Sequence, residues 1–140
     1  YAISFSIVLL DQLAKFLALR YLAGHESLPV VSGVFHLTLV KNPGIAFGLF
    51  HDRAGGALLL IVFSLAVLLV VVLEMKHAAW SQRLSLSFVL GGALGNLVDR
   101  MRYGHVVDFL DFRIWPVFNI ADSFITIGVC LFLVATFRSR

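Results

Sequence analysis

The sequence predicts an all-α membrane protein: four transmembrane helices, with a small amphipathic β element and loop between the first two. Three observations lead there. Hydrophobic residues fill 60% of 140 positions and charged residues only 14%, with a mean hydropathy of +0.96, more apolar surface than a water-soluble fold of this size can hide. Four segments reach or approach the about 20 mostly apolar residues that a bilayer-spanning helix needs. Between the first two of them the pattern changes to an alternation that no helix follows.

The length allows a single domain over residues 1–140, without repeats or linkers. A net charge of +3, scattered without a basic stripe, excludes a nucleic-acid binder. The single cysteine, Cys130, lies in an apolar run and reads as a small core residue. The five histidines have no zinc-type spacing, so neither a metal nor another cofactor is expected. The chain opens at Tyr1 without a methionine, which points to a short leading segment ahead of it. Asp11 and Lys15 interrupt the first apolar run and argue against a cleaved signal peptide there.

The first helix is placed at residues 1–19. Asp11 and Lys15 stand four apart on one of its faces, where they can pair and turn that face toward the bundle. In Val34–Val40 (VFHLTLV), Phe35, Leu37 and Leu39 fall on one side and His36 and Thr38 on the other. That pattern is a strand with one apolar face, inside a β region placed at 28–50. Lys41-Asn42-Pro43-Gly44 breaks it, and Phe47, Leu49 and Phe50 follow. Such an element is expected to lie at the membrane surface, with its apolar face at the headgroup boundary. The second helix, 54–73, is twenty residues without a charge, ended by Glu74, Lys76 and His77. The third, 84–100, contains Gly91 and Gly95, which let another helix approach closely. Asn96, Asp99 and Arg100 at i, i+3 and i+4 are expected on one face. The fourth, 119–137, opens with Asn119, Asp122, Ser123 and Thr126 clustered near its start.

The stretch Gly91–Thr126 carries the chemistry. Asp108 is expected on a short polar connection and Asp122 at a helix start, fourteen residues on. Pro116 prevents one continuous helix, so the chain can fold back and bring both carboxyls to one mouth. Two close carboxylates cannot both ionise, and such a pair can activate water while donating to a carbonyl oxygen. Polar clusters in membranes also make proton paths or simple packing bonds. From the residues alone a hydrolase, a carrier or proton path, and a structural cluster all fit. Ser123 and Ser32 lack a nucleophile motif with a histidine, and the glycines at 91, 92 and 95 lack the ending of a phosphate loop.

Five motifs in order, Asp11-Gln12…Lys15, Asn42-Pro-Gly-Ile-Ala-Phe47, Gly95-Asn-Leu-Val-Asp-Arg100, Gly104-His-Val-Val-Asp-Phe109 and Phe118-Asn-Ile-Ala-Asp-Ser123, resemble the motif series of the bacterial lipoprotein signal peptidases, also called signal peptidase II. The resemblance runs nearly end to end. It implies an aspartic endopeptidase that removes the signal peptide from diacylglyceryl-modified prolipoproteins, cutting just before the lipidated cysteine. Asp108 and Asp122 would be the catalytic pair. Asp11, Asn42, Gly44, Asn96, Asp99, Arg100 and Asn119 would shape or support the site. The implied setting is the bacterial cytoplasmic membrane, among its lipids, with inhibition by globomycin-like cyclic peptides. Basic residues counted on the two sides point against the usual inside-positive bias. The resemblance instead implies cytoplasmic termini, with the β element and the aspartates near the extracytoplasmic face. The connection from Asp108 to Asp122 is short for the family, which bears on how substrate is gated.

Overall fold

The computed structural model describes residues 1–25, 27–44 and 53–138. Among these residues four helices appear: α1 (Ala2–Tyr21), α2 (Arg53–His77), α3 (Trp80–Tyr103) and α4 (Ile120–Arg138). Three strands accompany them: β1 (Leu28–Val31), β2 (Phe35–Asn42) and β3 (Val106–Asp111). Ala2–Tyr21, Leu58–His77 and Ile120–Arg138 are long and apolar enough to cross a membrane. The packing is inverted relative to a soluble protein. Phe5, Leu13, Phe63, Leu69 and Phe137 point outward, while Asp11, Lys15, Asp99 and Asn119 are buried. Cys130, expected in the core, is exposed on α4 among Val129 and Leu131, on the apolar outer face.

Helix α3 has 24 residues yet is too polar to qualify as a span by composition. The reason is its position: α1, α2 and α4 all pack on it, so its buried residues include Ser85, Ser87, Asn96 and Asp99. Its glycines make this closeness possible, as expected. A Cβ on Gly91 would meet Ser4 and Ile7 of α1, and one on Gly95 would meet the Asp11 carboxylate. Gly92, which lies between them, faces the Ala121 carbonyl of α4. An apolar cluster around Leu68, Val71, Leu86, Leu90 and Leu97 joins α2 to α3.

The strands form one antiparallel sheet in the order β1-β2-β3. Strand β3 overturns the expectation that Asp108 lies on a polar connection. Five of the six residues in Val106–Asp111 are buried, so the segment shows no polar alternation from which a strand could be read. Its partner β2 is the expected strand, and Val40 pairs with Asp108. The apolar face of β2 does not stay open to a membrane. Leu37 and Leu39 pack with Leu28 and Leu110 against Ala18, Leu22 and Phe109. Phe35 lies against Phe112, with ring centroids 4.9 Å apart. Phe47, Leu49 and Phe50 lie outside the described residues.

Beyond β3 the chain turns back as expected. Leu110 N–H donates to the Phe118 carbonyl at 2.8 Å, and Phe118 N–H donates to the Leu110 carbonyl at 3.1 Å. This mutual pair closes the Pro116-containing loop and sets the start of α4 beside β3.

The Gly92 contact gives a test of the packing. Gly92→Ala must push α4 away from α3, at a cost of about 1–3 kcal/mol for an overpacked site. A thermal melt in detergent should show the loss, and an unchanged melting temperature would contradict the close α3–α4 approach.

Candidate active site

Two backbone amides locate the site. Ala121 N–H donates to Asp11 Oδ1 at 2.9 Å, and Val107 N–H donates to Asp99 Oδ2 at 3.0 Å. Each amide sits one residue before an aspartate of interest, Asp122 and Asp108. Lys15 Nζ lies 2.8 Å from both Asp11 Oδ2 and Asp99 Oδ2, with side chains 2% exposed or less throughout. Gln12 adds donations to Asp99 Oδ1 at 2.9 Å, to the Gly95 carbonyl at 3.2 Å and to Asp11 Oδ2 at 3.3 Å. Buried charges of this kind persist only when paired and hydrogen-bonded, and losing one partner commonly costs about 3–5 kcal/mol.

Asn119 and Asp122 start α4 with reciprocal bonds. Asn119 Oδ1 accepts from Asp122 N–H at 2.9 Å, and Asp122 Oδ2 accepts from Asn119 N–H at 3.4 Å. This is a capping box built from Asn and Asp, and Asp11 satisfies the amide between them. The carboxylate also suits the positive end of the helix dipole.

Asparagines link the two aspartates. Asn119 Nδ2 donates to Asp108 Oδ1 at 2.6 Å and to Asn96 Oδ1 at 3.1 Å. Asn96 Nδ2 donates to Asp122 Oδ1 at 2.7 Å. Asn42 Nδ2 donates to Asp108 Oδ2 at 2.8 Å, while its own Oδ1 accepts from Gly44 N–H at 2.8 Å. That turn requires φ +73° at Gly44, a left-handed conformation that glycine adopts without strain. The Asn-Pro-Gly break thus aims an amide at Asp108.

Asp108 is 1% exposed. Its burial pushes the carboxyl up to about 6; the hydrogen bonds from Asn42 and Asn119 oppose the shift, and the nearby Asp122 charge adds to it. Asp111, three residues on, is held below the ordinary range by the Thr38 hydroxyl at 2.7 Å and the Arg113 backbone and guanidinium. The two acids of one strand are therefore driven in opposite directions. A cavity of about 520 Å³ opens beside Asp122, between the 112–118 turn and α4. Phe112, Trp115, Phe118 and Ile127 make it apolar, with Asp122 and Ser123 at its polar end.

The structure brings together Asp11, Asn42, Asn96, Asp99, Asp108, Asn119 and Asp122, with Gly44 holding Asn42. Arg100 departs from the expectation of one shared face. Asn96 and Asp99 turn toward α1, β3 and α4, but the Arg100 Nη1 reaches Ser64 of α2 at 3.5 Å. Its charge is felt by Asp122, Asp99 and Asp108, while its Nε has no hydrogen-bond partner among the described residues. The ionic partner of Asp99 is Lys15, not Arg100. Lys15 and Gln12 were left out of the expected site. Asp11 and Lys15, four apart in a mostly apolar run, gave a signal for Lys15, but only the fold shows that Asp99 shares it.

A family model described as signal peptidase (SPase) II matches residues 3–138. A lipoprotein signal peptidase of Halothermothrix orenii is 42% identical over 134 residues, covering 96% of this chain and 92% of its own. One of Moorella thermoacetica is 46% identical over 125 residues, covering 89% and 83%. A solved structure described as a bacterial membrane enzyme superposes with a TM-score of 0.83 at 30% identity, over 98% of this chain and 86% of that one.

Asn42 donates one of the two side-chain hydrogen bonds that hold the Asp108 carboxyl down. In Asn42→Ala that carboxyl should therefore titrate above about 6, followed by its infrared carbonyl band. A titration unchanged or shifted downward would show that the amide does not control Asp108.

Proposed function

This chain belongs to the signal peptidase II family of aspartic peptidases, and on that premise we propose that Asp108 and Asp122 are its catalytic pair. The family removes signal peptides from prolipoproteins. The observation that carries the assignment is the asparagine chain joining two buried or half-buried carboxyls, one of which, Asp122, lines an apolar cavity.

The pair works with one proton between its two carboxyls. Asp108, pushed up to about 6, holds that proton, and Asp122, accepting from Asn96 Nδ2, serves as the base. A water between them gives its proton to Asp122 as its oxygen attacks the scissile carbonyl carbon. Asp108 donates its proton to the carbonyl oxygen, which yields a neutral tetrahedral diol. Asp122 then protonates the leaving nitrogen while Asp108 recovers a proton from a diol hydroxyl, and the C–N bond breaks. Both carboxyls end as they began.

The substrate is a diacylglyceryl-modified prolipoprotein, cut just before its lipidated cysteine. Its acyl chains stay among membrane lipids while the peptide enters beside the 112–118 turn. Supporting this are the cavity's apolar wall and the outward-facing Ile114 and Trp115, 93% and 69% exposed next to the start of α4; aromatic side chains favour the membrane boundary. Helix α3 crosses the bilayer as the fourth span, its polar residues shielded by the other helices. Both termini lie in the cytoplasm, the pair faces the outer side of the bacterial inner membrane, and globomycin-like cyclic peptides compete for the cavity. Asp11, Asn42, Gly44, Asn96, Asp99, Arg100 and Asn119 support the pair without exchanging protons.

Two outcomes test this. Asp108→Asn and Asp122→Asn should each remain folded yet cut a diacylated prolipoprotein at under about one-thousandth of the native rate, as expected for a lost acid or base. Mass spectrometry reads the products, and the non-acylated precursor should stay intact. Substantial cleavage by both variants contradicts the assignment. The second outcome is pH dependence. Asp108 keeps its proton below its raised value and loses it above, so kcat/KM, which reports the substrate-free enzyme, should fall as pH rises through about 6. A flat profile from pH 5 to 8 contradicts the proton assignment.

A further inference from the structure

We infer that Lys15 is a positioning residue of this peptidase, one that sets the separation and orientation of Asp108 and Asp122 without touching substrate. The inference rests on the catalytic pair proposed above. Three contacts carry it. The ammonium lies 2.8 Å from Asp11, which holds the amide preceding Asp122, and 2.8 Å from Asp99, which holds the amide preceding Asp108. One cation therefore ties together the two clamps that place the catalytic residues, one on a helix and one on a strand. The third contact is to Asn96 Oδ1 at 3.0 Å.

That third contact gives the network a direction. An ammonium can only donate, so the Asn96 oxygen must face Lys15 and its NH₂ must face Asp122. The same oxygen accepts from Asn119 Nδ2, whose other hydrogen goes to Asp108. Reversing the Asn96 amide would set its oxygen against the Asp122 carboxylate and its NH₂ against the ammonium. Both contacts would then be repulsive. Lys15 thereby fixes Asp122 as the acceptor of the Asn96 amide.

A lysine serving only to neutralise two buried acids would need the first two contacts and not the third. The two roles differ in their kinetics. Lys15→Met, assayed in lipid nanodiscs on a diacylated prolipoprotein, should lower kcat by about 30-fold or more while KM changes by less than about threefold, as misplaced reacting groups do. The apparent pKa values of kcat/KM should rise, because a cation beside the pair is gone while Arg100, Asp99 and Asp11 remain around it. Where the single variant is recovered in poor yield, Lys15→Met/Asp99→Asn removes one charge of each sign and is read against Asp99→Asn alone, because Asp99 itself holds the Val107 amide. A variant whose folded fraction retains the native kcat and pH profile overturns the inference, even if it melts earlier. Asp108→Asn, run alongside, separates the two claims. If it is active, the catalytic assignment fails; if it is dead while Lys15→Met turns over normally, only the positioning role fails.

Discussion

A buried ammonium between two buried carboxylates is the constraint from which the rest of this structure follows. Lys15, Asp11 and Asp99 are at most 2% exposed, in a chain whose surroundings are apolar protein and lipid. Desolvating three charges is costly, and only close pairing with added hydrogen bonds offsets it. The fold supplies those bonds from the first turn of α4, the second residue of β3 and Gln12. Four elements are thereby held at one point by polar contacts, within a bundle where apolar packing alone discriminates little between protein and lipid.

The same constraint explains the composition of α3. A helix surrounded by three others has no need of a lipid-compatible surface and can carry glycine, serine, asparagine and aspartate. Gly95 lets the Asp11 carboxylate come against the helix backbone, and Gly92 admits Ala121. Those two approaches bring α1 and α4 to the turn of α3 that carries Asn96 and Asp99. Small residues and charges in one helix are thus parts of one arrangement: the glycines create the closeness that the ion cluster needs.

Much of this was legible in the sequence because the relevant signals are local. Long, mostly apolar runs showed the helices, the alternation of VFHLTLV showed β2, and the Asn-Pro-Gly break showed its end. The two aspartates stood out because carboxyls are rare in such a chain. Strand β3 was hidden because burial on both faces removes the alternation that marks a strand. The partner of Asp99 was hidden too. Arg100 is adjacent in sequence, whereas Lys15 lies on another helix, and helical spacing does not report contacts between helices. Cys130 misled because an apolar run faces lipid as readily as a core. The role of Gln12 depends on the register between α1 and α3, which no local pattern encodes.

If one cation sets the catalytic geometry, its removal must move the catalytic groups. The direct measurement is a structure of Lys15→Met determined in a lipid phase and superposed on the native enzyme over its four helices. The Asp108 and Asp122 carboxyls should move relative to one another by about 1 Å or more, a displacement large enough to cost on the order of 100-fold in rate, with the Asn96 amide no longer held toward Asp122. Carboxyls and Asn96 superposing on their native positions within about 0.3 Å, well inside the tolerance of about 0.5 Å for a preorganised site, would contradict the account.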